Sequence, residues 1–237
     1  MNLTKITEEE YPEMKEVHQN SLQYAKGVYE LIRIYELWID EISNKKQRLS
    51  STYFNINDHH DLILLFHGLM LGSTVKYTAE DITDFSVQLK RYETKEEFEN
   101  TGMFLSQLIY RDRLKNSRKF PNKTYKLILS NLQKNLNLLG YANGSNLYIL
   151  GNAGEKLGIG NNGTIFIEGD VKSELSAYQR VYIEGNLKSL EGSFNGNEGH
   201  IIISGTVQER NGEYDLRHRL KIDSSLVKQK KIEFLQT

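Results

Sequence analysis

Cysteine is absent from the 237 residues of the sequence, and proline occurs only twice. Without cysteine the chain can form neither disulfide bonds nor thiolate metal sites, and a cysteine nucleophile is excluded. Charge of one sign is lacking too, because 30 basic residues balance 31 acidic ones to a net charge of −1. Such a balance gives no overall attraction to nucleic acid or to an anionic membrane, so we expect binding to neither.

Long apolar runs are also missing from the sequence. The longest, Leu62 to Phe66, is far below the ~20 residues that a membrane-spanning helix needs. The first residues, Met1 to Lys5, lack the apolar stretch of a signal peptide. We therefore expect a cytoplasmic protein.

A repeat organises the C-terminal half of the chain. Four similar segments begin at Leu147, Ile165, Val181 and Ile201 and end in glycine, and a fifth begins at Leu220. In each segment the first and third residues are aliphatic, and in a strand both point to the same side. Repeats of this period predict a solenoid that buries ladders of aliphatic side chains. A β-sandwich is the alternative, but it does not require the same columns to recur.

Glycines mark the corners of the predicted repeat, where a backbone bend with positive φ is most easily made by glycine. The predicted structural turns are at Gly151, Gly154, Gly158, Gly160, Gly163, Gly169, Gly185 and Gly205. A polar residue follows most of the segment-ending glycines, as in Asn152, Asp170 and Asn186. Such residues bond to nearby backbone in turns.

Residues 151–154 (Gly-Asn-Ala-Gly), with Gly158, Gly160 and the stretch 163–169, carry a family resemblance. This pattern is similar to the glycine-rich right-handed β-helix of the GXGXG family, known from the large subunit of glutamate synthase and from one of the subunits of formylmethanofuran dehydrogenase. The resemblance covers about residues 145–207 and weakens after 173–177, where a glycine cluster is replaced. It implies a structural and interface element, and it transfers no catalytic residue.

The first 140 residues predict helices. A capping box at Thr7 and Glu10 opens a long helix to about Lys46, with heptad spacing of apolar residues. This stripe can pair within the chain or between chains, and we favour pairing within the chain because its first half is polar. One further helix is expected to start at Thr78, and another to start at a Thr94–Glu97 capping box. A last helix is expected over 128–139. The helix through 62–71 is apolar all round, which predicts a central buried position.

These patterns together predict an α+β fold in two domains. Residues 1–140 form an all-helical bundle, and residues 141–237 form a right-handed single-stranded β-helix, a solenoid of about five rungs. The end of such a solenoid exposes unpaired strand edges, so we expect the last helix of the bundle to cap it.

Two further columns of the repeat face outward and are candidate contact surfaces. The apolar column consists of Tyr148, Phe166, Tyr182 and Ile202. Because such rows usually mark a covered surface, we predict that helices of the first domain or a partner protein lie over it. The acidic column consists of Glu168, Glu184 and Asp223. Stacked like charges favour contact with a cation or a basic partner, or pairing with lysine or arginine of the helical domain.

Other candidate sites carry simpler interpretations. Residues 58–61 (Asp-His-His-Asp) with His67 are the only cluster of metal-ligand types. His60 and His67 lie about 10 Å apart along a helix, too far to share one ion, so we interpret the cluster as a polar helix start and predict no metal. The glycine loop 154–163 lacks the lysine of a P-loop. The basic run 111–119 is typical of a solvated helix end. We expect no cofactor.

No catalytic motif is recognised in the sequence, and a non-catalytic protein is favoured over an enzyme. We expect a structural or interaction protein, a β-helix scaffold capped by a helical bundle, that self-associates or joins a larger complex. One alternative is an accessory subunit of a redox or amidotransferase complex, which the resemblance implies. The other is a metal- or small-molecule-dependent enzyme with its site between the two domains.

Overall fold

The computed structural model describes residues 12–48, 59–71, 74–116, 123–142, 144–175, 180–189, 200–203 and 207–209. Within this part of the chain, helices come first and short strands follow. The α-helices are α1 (Pro12–Arg48), α2 (His59–Met70), α3 (Ala79–Gln88) and α4 (Thr101–Asn116). Two 3₁₀ helices, Leu89–Tyr92 and Glu96–Asn100, join α3 to α4.

An aromatic cluster forms the centre of the helical part. Tyr35 and Trp38 of α1 pack against Phe104 of α4, with ring centroids 5.2 and 5.3 Å from it. Phe66 and Phe85 complete the cluster around the same ring. The hydroxyl of Tyr35, which is fully buried, shares a 2.7 Å hydrogen bond with the hydroxyl of Thr101. The cluster therefore joins all four helices while leaving the Tyr35 hydroxyl satisfied.

The long first helix is confirmed, and its described apolar face packs within the chain. Tyr35, Ile39 and Ile42 of the predicted heptad stripe are buried. Ile32 of the same stripe is only partly buried, whereas Leu31 and Ile34 beside it are buried completely or nearly so. The contact face is thus rotated slightly from the predicted stripe. The capping pair Thr7 and Glu10 lies outside the described residues.

The central, fully buried position predicted for α2 is wrong. One face of α2 is buried through Leu62, Leu65, Phe66 and Met70. Leu64 on the other face is 54% exposed, and Leu71 just after the helix is 81% exposed. Apolar character on all sides therefore did not indicate burial on all sides here.

The two helix starts predicted in the middle of the helical part, at Thr78 and at the Thr94–Glu97 capping box, have different outcomes. Thr78 begins α3 as predicted, because Asp81 N–H donates to its hydroxyl and Thr78 N–H donates to the Asp81 carboxylate. Burial raises the pKa of Asp81 despite these bonds. The box predicted at Thr94 and Glu97 is wrong, since a 3₁₀ helix starts at Glu96 with no side-chain cap. The α-helix itself begins only at Thr101.

The strands are short and lie in two parallel sheets. The first sheet has the order β1 (Thr124–Ile128), β2 (Asn146–Leu150), β4 (Thr164–Ile167), β6 (Arg180–Ile183) and β8 (His200–Ile203). The second has the order β3 (Ala153–Leu157), β5 (Val171–Leu175), β7 (Leu187–Ser189) and β9 (Val207–Glu209). From β2 onward, successive strands alternate between the two sheets.

The predicted single-stranded right-handed β-helix of about five rungs is therefore wrong. Each repeat contributes two strands of only three to five residues to two separate sheets, rather than one strand to one solenoid. The strands also begin earlier than expected, at Thr124, and the helices end at Asn116. The α+β class with helices at the N-terminal side holds. One hydrophobic core runs from α1 to β7. The division into domains at residue 140 stays a prediction.

The helix predicted over 128–139 is also wrong. Tyr125, Leu127 and Leu129 are buried in alternation, which is the period of a strand, and β1 pairs in parallel with β2. Residues after β1 form turns, in which Leu138 adopts a φ of 64°. Apolar residues at helical spacing here belong to a strand end and to turns that face the same core.

The strand register stacks the aliphatic columns as the repeat predicts. Leu147 pairs with Ile165, and Ile165 with Val181; the column two residues later behaves in the same way. In the second sheet Ala153 pairs with Val171, and Val171 with Leu187. These side chains are buried, so the two sheets share a core between them.

Helix α3 covers the outer edge of the first sheet at β1. The Thr83 hydroxyl donates to the carbonyl of Lys126 at 2.8 Å, and Ile128 N–H donates to the Ser86 hydroxyl at 2.9 Å. An edge strand left with unpaired backbone groups is prone to wrong pairing. Helix α3 therefore serves as the cap that the sequence assigned to a later helix.

Glu93 fastens the turns after β1 to the helical part. Its carboxylate, which is 8% exposed, accepts hydrogen bonds from the backbone of Gln133 and Lys134 and pairs with Lys90. Burial alone would raise the pKa of Glu93, but the hydrogen bonds and the Lys90 charge outweigh it and hold the pKa below 4.5.

None of the helices in the described part combines the length and the apolar character needed to cross a bilayer.

Substitution of Gly169 tests the close stacking of the repeats. A Cβ at this position would lie 2.4 Å from the carbonyl oxygen of Gly151, and backbone cannot easily yield. We expect Gly169→Ala to lower the free energy of unfolding by about 1–3 kcal/mol, measured by urea titration. The matched control is Gly68→Ala on α2, where the added Cβ meets nothing within 4 Å. In Gly68→Ala the free energy of unfolding should rise by about 0.5–1 kcal/mol. Equal effects would contradict the stacking.

Substitution of Glu93 tests the anchored turns. Glu93→Gln removes the ion pair with Lys90 and weakens two partly buried hydrogen bonds, so we expect a loss of about 1–3 kcal/mol in unfolding free energy at pH 7. Because the folded pKa of Glu93 is lowered, its stabilisation is present above pH 4.5 and is lost as the pH falls through the folded value. The variant should show a smaller loss of stability in acid. Glu99→Gln, an exposed change nearby, is the control.

Candidate functional site

The outward face of the first sheet carries the strongest candidate site. Tyr148, Phe166 and Tyr182 stand in register on neighbouring strands β2, β4 and β6. Their neighbours along each strand point inward and are buried, so these three side chains point away from the core. All three remain partly exposed. We call them, with the register position of Ile202, the aromatic column.

The rings of the aromatic column stack on one another. The rings of Tyr148 and Phe166 are 4.8 Å apart and parallel to within 3°, and Tyr182 follows at 6.4 Å with a tilt of 35°. The spacing of neighbouring strands, ~4.8 Å, imposes this stack. Because the ring faces are turned toward each other, the ring edges are what the column offers to a partner.

A basic residue begins the column at the β1 end. Lys126 pairs in register with Tyr148, and its ammonium lies 5.9 Å from the centre of the Tyr148 ring. This distance is within the range of a cation–π contact. Lys126 is exposed and sits on the strand that α3 covers. The column therefore ends in a positive charge where the helical part begins.

An acidic column runs beside the aromatic one. Glu168 and Glu184 follow β4 and β6 and are exposed, with Glu184 N–H donating to the carbonyl of Ile167 on the neighbouring strand. The hydroxyl of Tyr148 donates to the Glu168 carboxylate, and this bond raises the pKa of Tyr148. Neither carboxylate forms an ion pair with any residue that the structure describes. Pairing with a base of the helical part is thus not seen there, and Asp223 lies outside the described residues.

A row of polar side chains fixes the corner between the two sheets. Asn152 Oδ1 accepts from Asp170 N–H at 2.9 Å, and Asp170 Oδ1 accepts from Asn186 N–H at 2.6 Å. Each side chain thereby binds the backbone of the next repeat. These residues were predicted to bond nearby backbone within their own turns, but Asn152 and Asp170 instead bind the backbone of the following repeat, 18 and 16 residues along the chain. They hold the strands in register and so keep the aromatic rings aligned.

The predicted turn glycines divide into three groups. Gly151, Gly158 and Gly160 have positive φ values of 124°, 72° and 69°, as expected for turns. Gly169 and Gly185 lie at corners where the backbone of the previous repeat comes too close for a Cβ. Gly163 precedes β4 and meets the Ser145 carbonyl in the same way, whereas Gly154 lies within β3 rather than in a turn. Gly205 lies outside the described residues.

The glycine loop after β3 packs against the chain before β2. Gly158 N–H donates to the carbonyl of Leu139, and Ala142 N–H donates to that of Ile159. Asn161, which is fully buried, closes the loop through bonds to the backbone of Gly163. The backbone N–H groups of Gly158, Asn161 and Gly163 are therefore used within the protein, so they are not free to bind a phosphate.

The histidine cluster is placed at the contact between α2 and the sheets. The ring of His59 lies 5.3 Å from that of Tyr141, and its Nε2 is 3.5 Å from Lys156 Nζ. Asp58 lies outside the described residues. Among the residues that the structure does describe, no three side chains of metal-ligand type converge on a common point.

The described part of the basic run 111–119 is engaged in the fold. Arg111 donates to the carbonyl of Met70 at 3.1 Å. Asp112 is buried and accepts from Lys123 and Tyr125, each at 2.7 Å. The Lys115 ammonium lies 5.4 Å from the ring of Tyr77. These contacts hold α4 against its neighbours, although Lys115 is also exposed.

A polar groove of about 400 Å³ between the two parts of the chain was not predicted. Its walls are the Asn152–Asp170–Asn186 row on one side and residues 133–137 with Glu99 on the other. The ammonium of Lys172 at its edge pairs with Glu155 at 2.8 Å. No sequence motif could indicate this groove, because it arises from turns that the sequence predicted as helix.

Comparison with protein-family models, with curated proteins and with solved structures found no match to this chain. The resemblance to the GXGXG family therefore stays a prediction.

The bond between Tyr148 and Glu168 predicts a measurable titration. In Glu168→Gln the acceptor loses its charge, so the pKa of Tyr148 should fall toward the ordinary value of a tyrosine. The tyrosine Cζ chemical shift, followed by NMR in wild type and variant and assigned with Tyr148→Phe, reports this pKa. Glu184→Gln, which removes a charge farther along the column, is the control and should lower the pKa much less. Equal shifts in both variants would contradict the bond.

Proposed function

We propose that this chain is a non-catalytic structural or interaction protein that binds another protein chain through the aromatic column, by self-association or within a larger complex. The observation that supports this function is the stack of three large aromatic side chains on an outward sheet face. Their rings are held in register and are only partly buried. Aromatic side chains are enriched in protein–protein interfaces and carry much of the binding energy there.

The chemistry beside the column also favours a protein partner. Glu168 and Glu184 directly follow the paired residues Ile167 and Ile183, so the spacing of neighbouring strands places their like charges about 5 Å apart. They lack basic partners among the described residues, so a partner that presents lysine or arginine would relieve their repulsion. A carbohydrate is less well served, because the ring faces that would stack on a sugar are turned toward each other.

The expected alternatives stay predictions. No described contact favours an accessory subunit of a redox or amidotransferase complex. An enzyme with its site between the two parts of the chain would use the polar groove, but several of the side chains there already bind backbone or each other. A cytoplasmic location also stays a prediction.

Photo-cross-linking in cells tests the proposed function. With benzoylphenylalanine in place of Phe166, we expect a covalent adduct with a protein, because this position lies at the centre of the column. The matched control carries the same group in place of Tyr29, an aromatic residue of α1 that is 64% exposed. An adduct at 166 and none at 29 supports the function. No adduct at 166, or equal adducts at both positions, would overturn it.

A further inference from the structure

We propose that the partner of the aromatic column is a second copy of this chain, packed face to face with antiparallel strands about a two-fold axis along the column. This inference rests on the proposed function, for which it names the partner. It follows from how charge is distributed on the outward face of the first sheet.

The outward face contains three parallel columns. The aromatic column lies in the middle of the strands, and the acidic column of Glu168 and Glu184 follows their carboxyl ends. At their amino ends, two residues before the aromatic column, the register places Thr164 beside Arg180. The face therefore has an acidic margin on one side and, at β6, a basic register position on the other.

Two orientations bring such a face onto a copy of itself with two-fold symmetry. If the axis ran along the strands, each column would face its own counterpart, and the carboxylates would oppose carboxylates. If the axis runs along the aromatic column, the two outer columns exchange places. The register position of Glu184 then opposes that of Arg180 of the second copy, and the position of Glu168 opposes that of Thr164, one strand away from Arg180. Only the second orientation replaces repulsion with attraction, so we infer that one.

Lys126 limits the length of the contact. In the inferred orientation each position of the column faces the same position of the second copy, so Lys126 would meet Lys126. This residue is exposed and lies on β1, the edge strand to which α3 is bonded. Two ammonium groups there disfavour close approach at that end. The contact is therefore centred on β4 and β6.

The expected dimer is weak. The first sheet has five strands; at ~4.8 Å per strand and with four residues at ~3.3 Å each, they give a flat face of roughly 300 Å². Interfaces that bury less than about 1,200 Å² in total are typical of transient complexes. We expect a dimer that forms with rising protein concentration and dissociates on dilution. Added salt should weaken it, because the charge pairs lie at the margin.

A charge exchange between the two margins tests the inference. Glu184→Arg and Arg180→Glu should each abolish dimerisation of the full-length chain in sedimentation velocity, since each places like charges opposite each other twice. An equimolar mixture of the two variants should restore the dimer, because every pair across the interface is then of opposite sign. Asp84→Arg, an exposed change on α3, is the control and should dimerise like wild type. Circular dichroism verifies that each variant folds.

Single-cysteine variants give a second measurement that does not depend on charge, and the natural chain has no cysteine to interfere. With an axis along the column, Tyr148→Cys and Tyr182→Cys should each cross-link to themselves through a reagent spanning about 10 Å, the spacing of packed sheets. An axis along the strands would instead favour cross-links between positions 148 and 182. Self-links at both positions support the proposal, and predominant mixed links overturn it.

Three further outcomes overturn the second copy as partner: a wild-type chain that is monomeric at every concentration, single variants that dimerise like wild type, or a mixture that stays monomeric. The proposed function is judged separately. If the chain is monomeric but the photo-cross-linker at 166 attaches a different protein, the interaction surface stands and its partner is another chain. If the chain is monomeric and no adduct forms at 166, both the second copy as partner and the proposed function are contradicted.

Discussion

The close approach of backbone at the glycine corners is the constraint on which the sheets depend. A Cβ at Gly169 would lie 2.4 Å from the Gly151 carbonyl oxygen, and one at Gly185 would lie 2.5 Å from that of Gly169. Each repeat can therefore settle on the one before it only if its corner has no side chain. This contact sets the distance between successive repeats, and that distance allows their strands to pair. A larger residue at a single corner would lift the whole of the next repeat.

The register that results has different consequences on the two faces of the first sheet. Inside, it stacks aliphatic pairs such as Ile149 and Ile167 into a dry core. Outside, the same register stacks aromatic rings and carboxylates that have no core to enter. The inward stack stabilises the fold through burial. The outward stack contributes less to folding, since its rings stay partly exposed and Glu168 and Glu184 repel each other. An arrangement that folding alone does not favour is one that binding can explain.

The sequence predicted the columns because strand alternation is strictly of period two. Alignment of five copies shows which positions are aliphatic in every copy, even where single residues differ. It did not predict the second strand of each repeat, since these strands are only three to five residues long and mix charged with apolar residues, as in Glu155 and Lys156. It also missed β1, where Tyr125, Lys126 and Leu127 continue the columns but Leu129 stands near the glycine position. The aromatic column was predicted as a surface, but its ring stacking and the groove depend on three-dimensional register.

The position of α3 explains why this helix leaves the outward face available to a partner. Thr83 and Ser86 bind backbone groups of β1, so the helix spends its polar side chains on the sheet edge and not on the sheet face. A sheet edge leaves backbone donors and acceptors unsatisfied, whereas on the face of the sheet the backbone groups are paired between strands. Unsatisfied backbone groups are the greater liability in a folded chain. Helix α3 thus satisfies backbone groups at the sheet edge. The aromatic rings stay partly exposed beside carboxylates that form no ion pair within the described part of the chain, and a second chain can cover both reversibly.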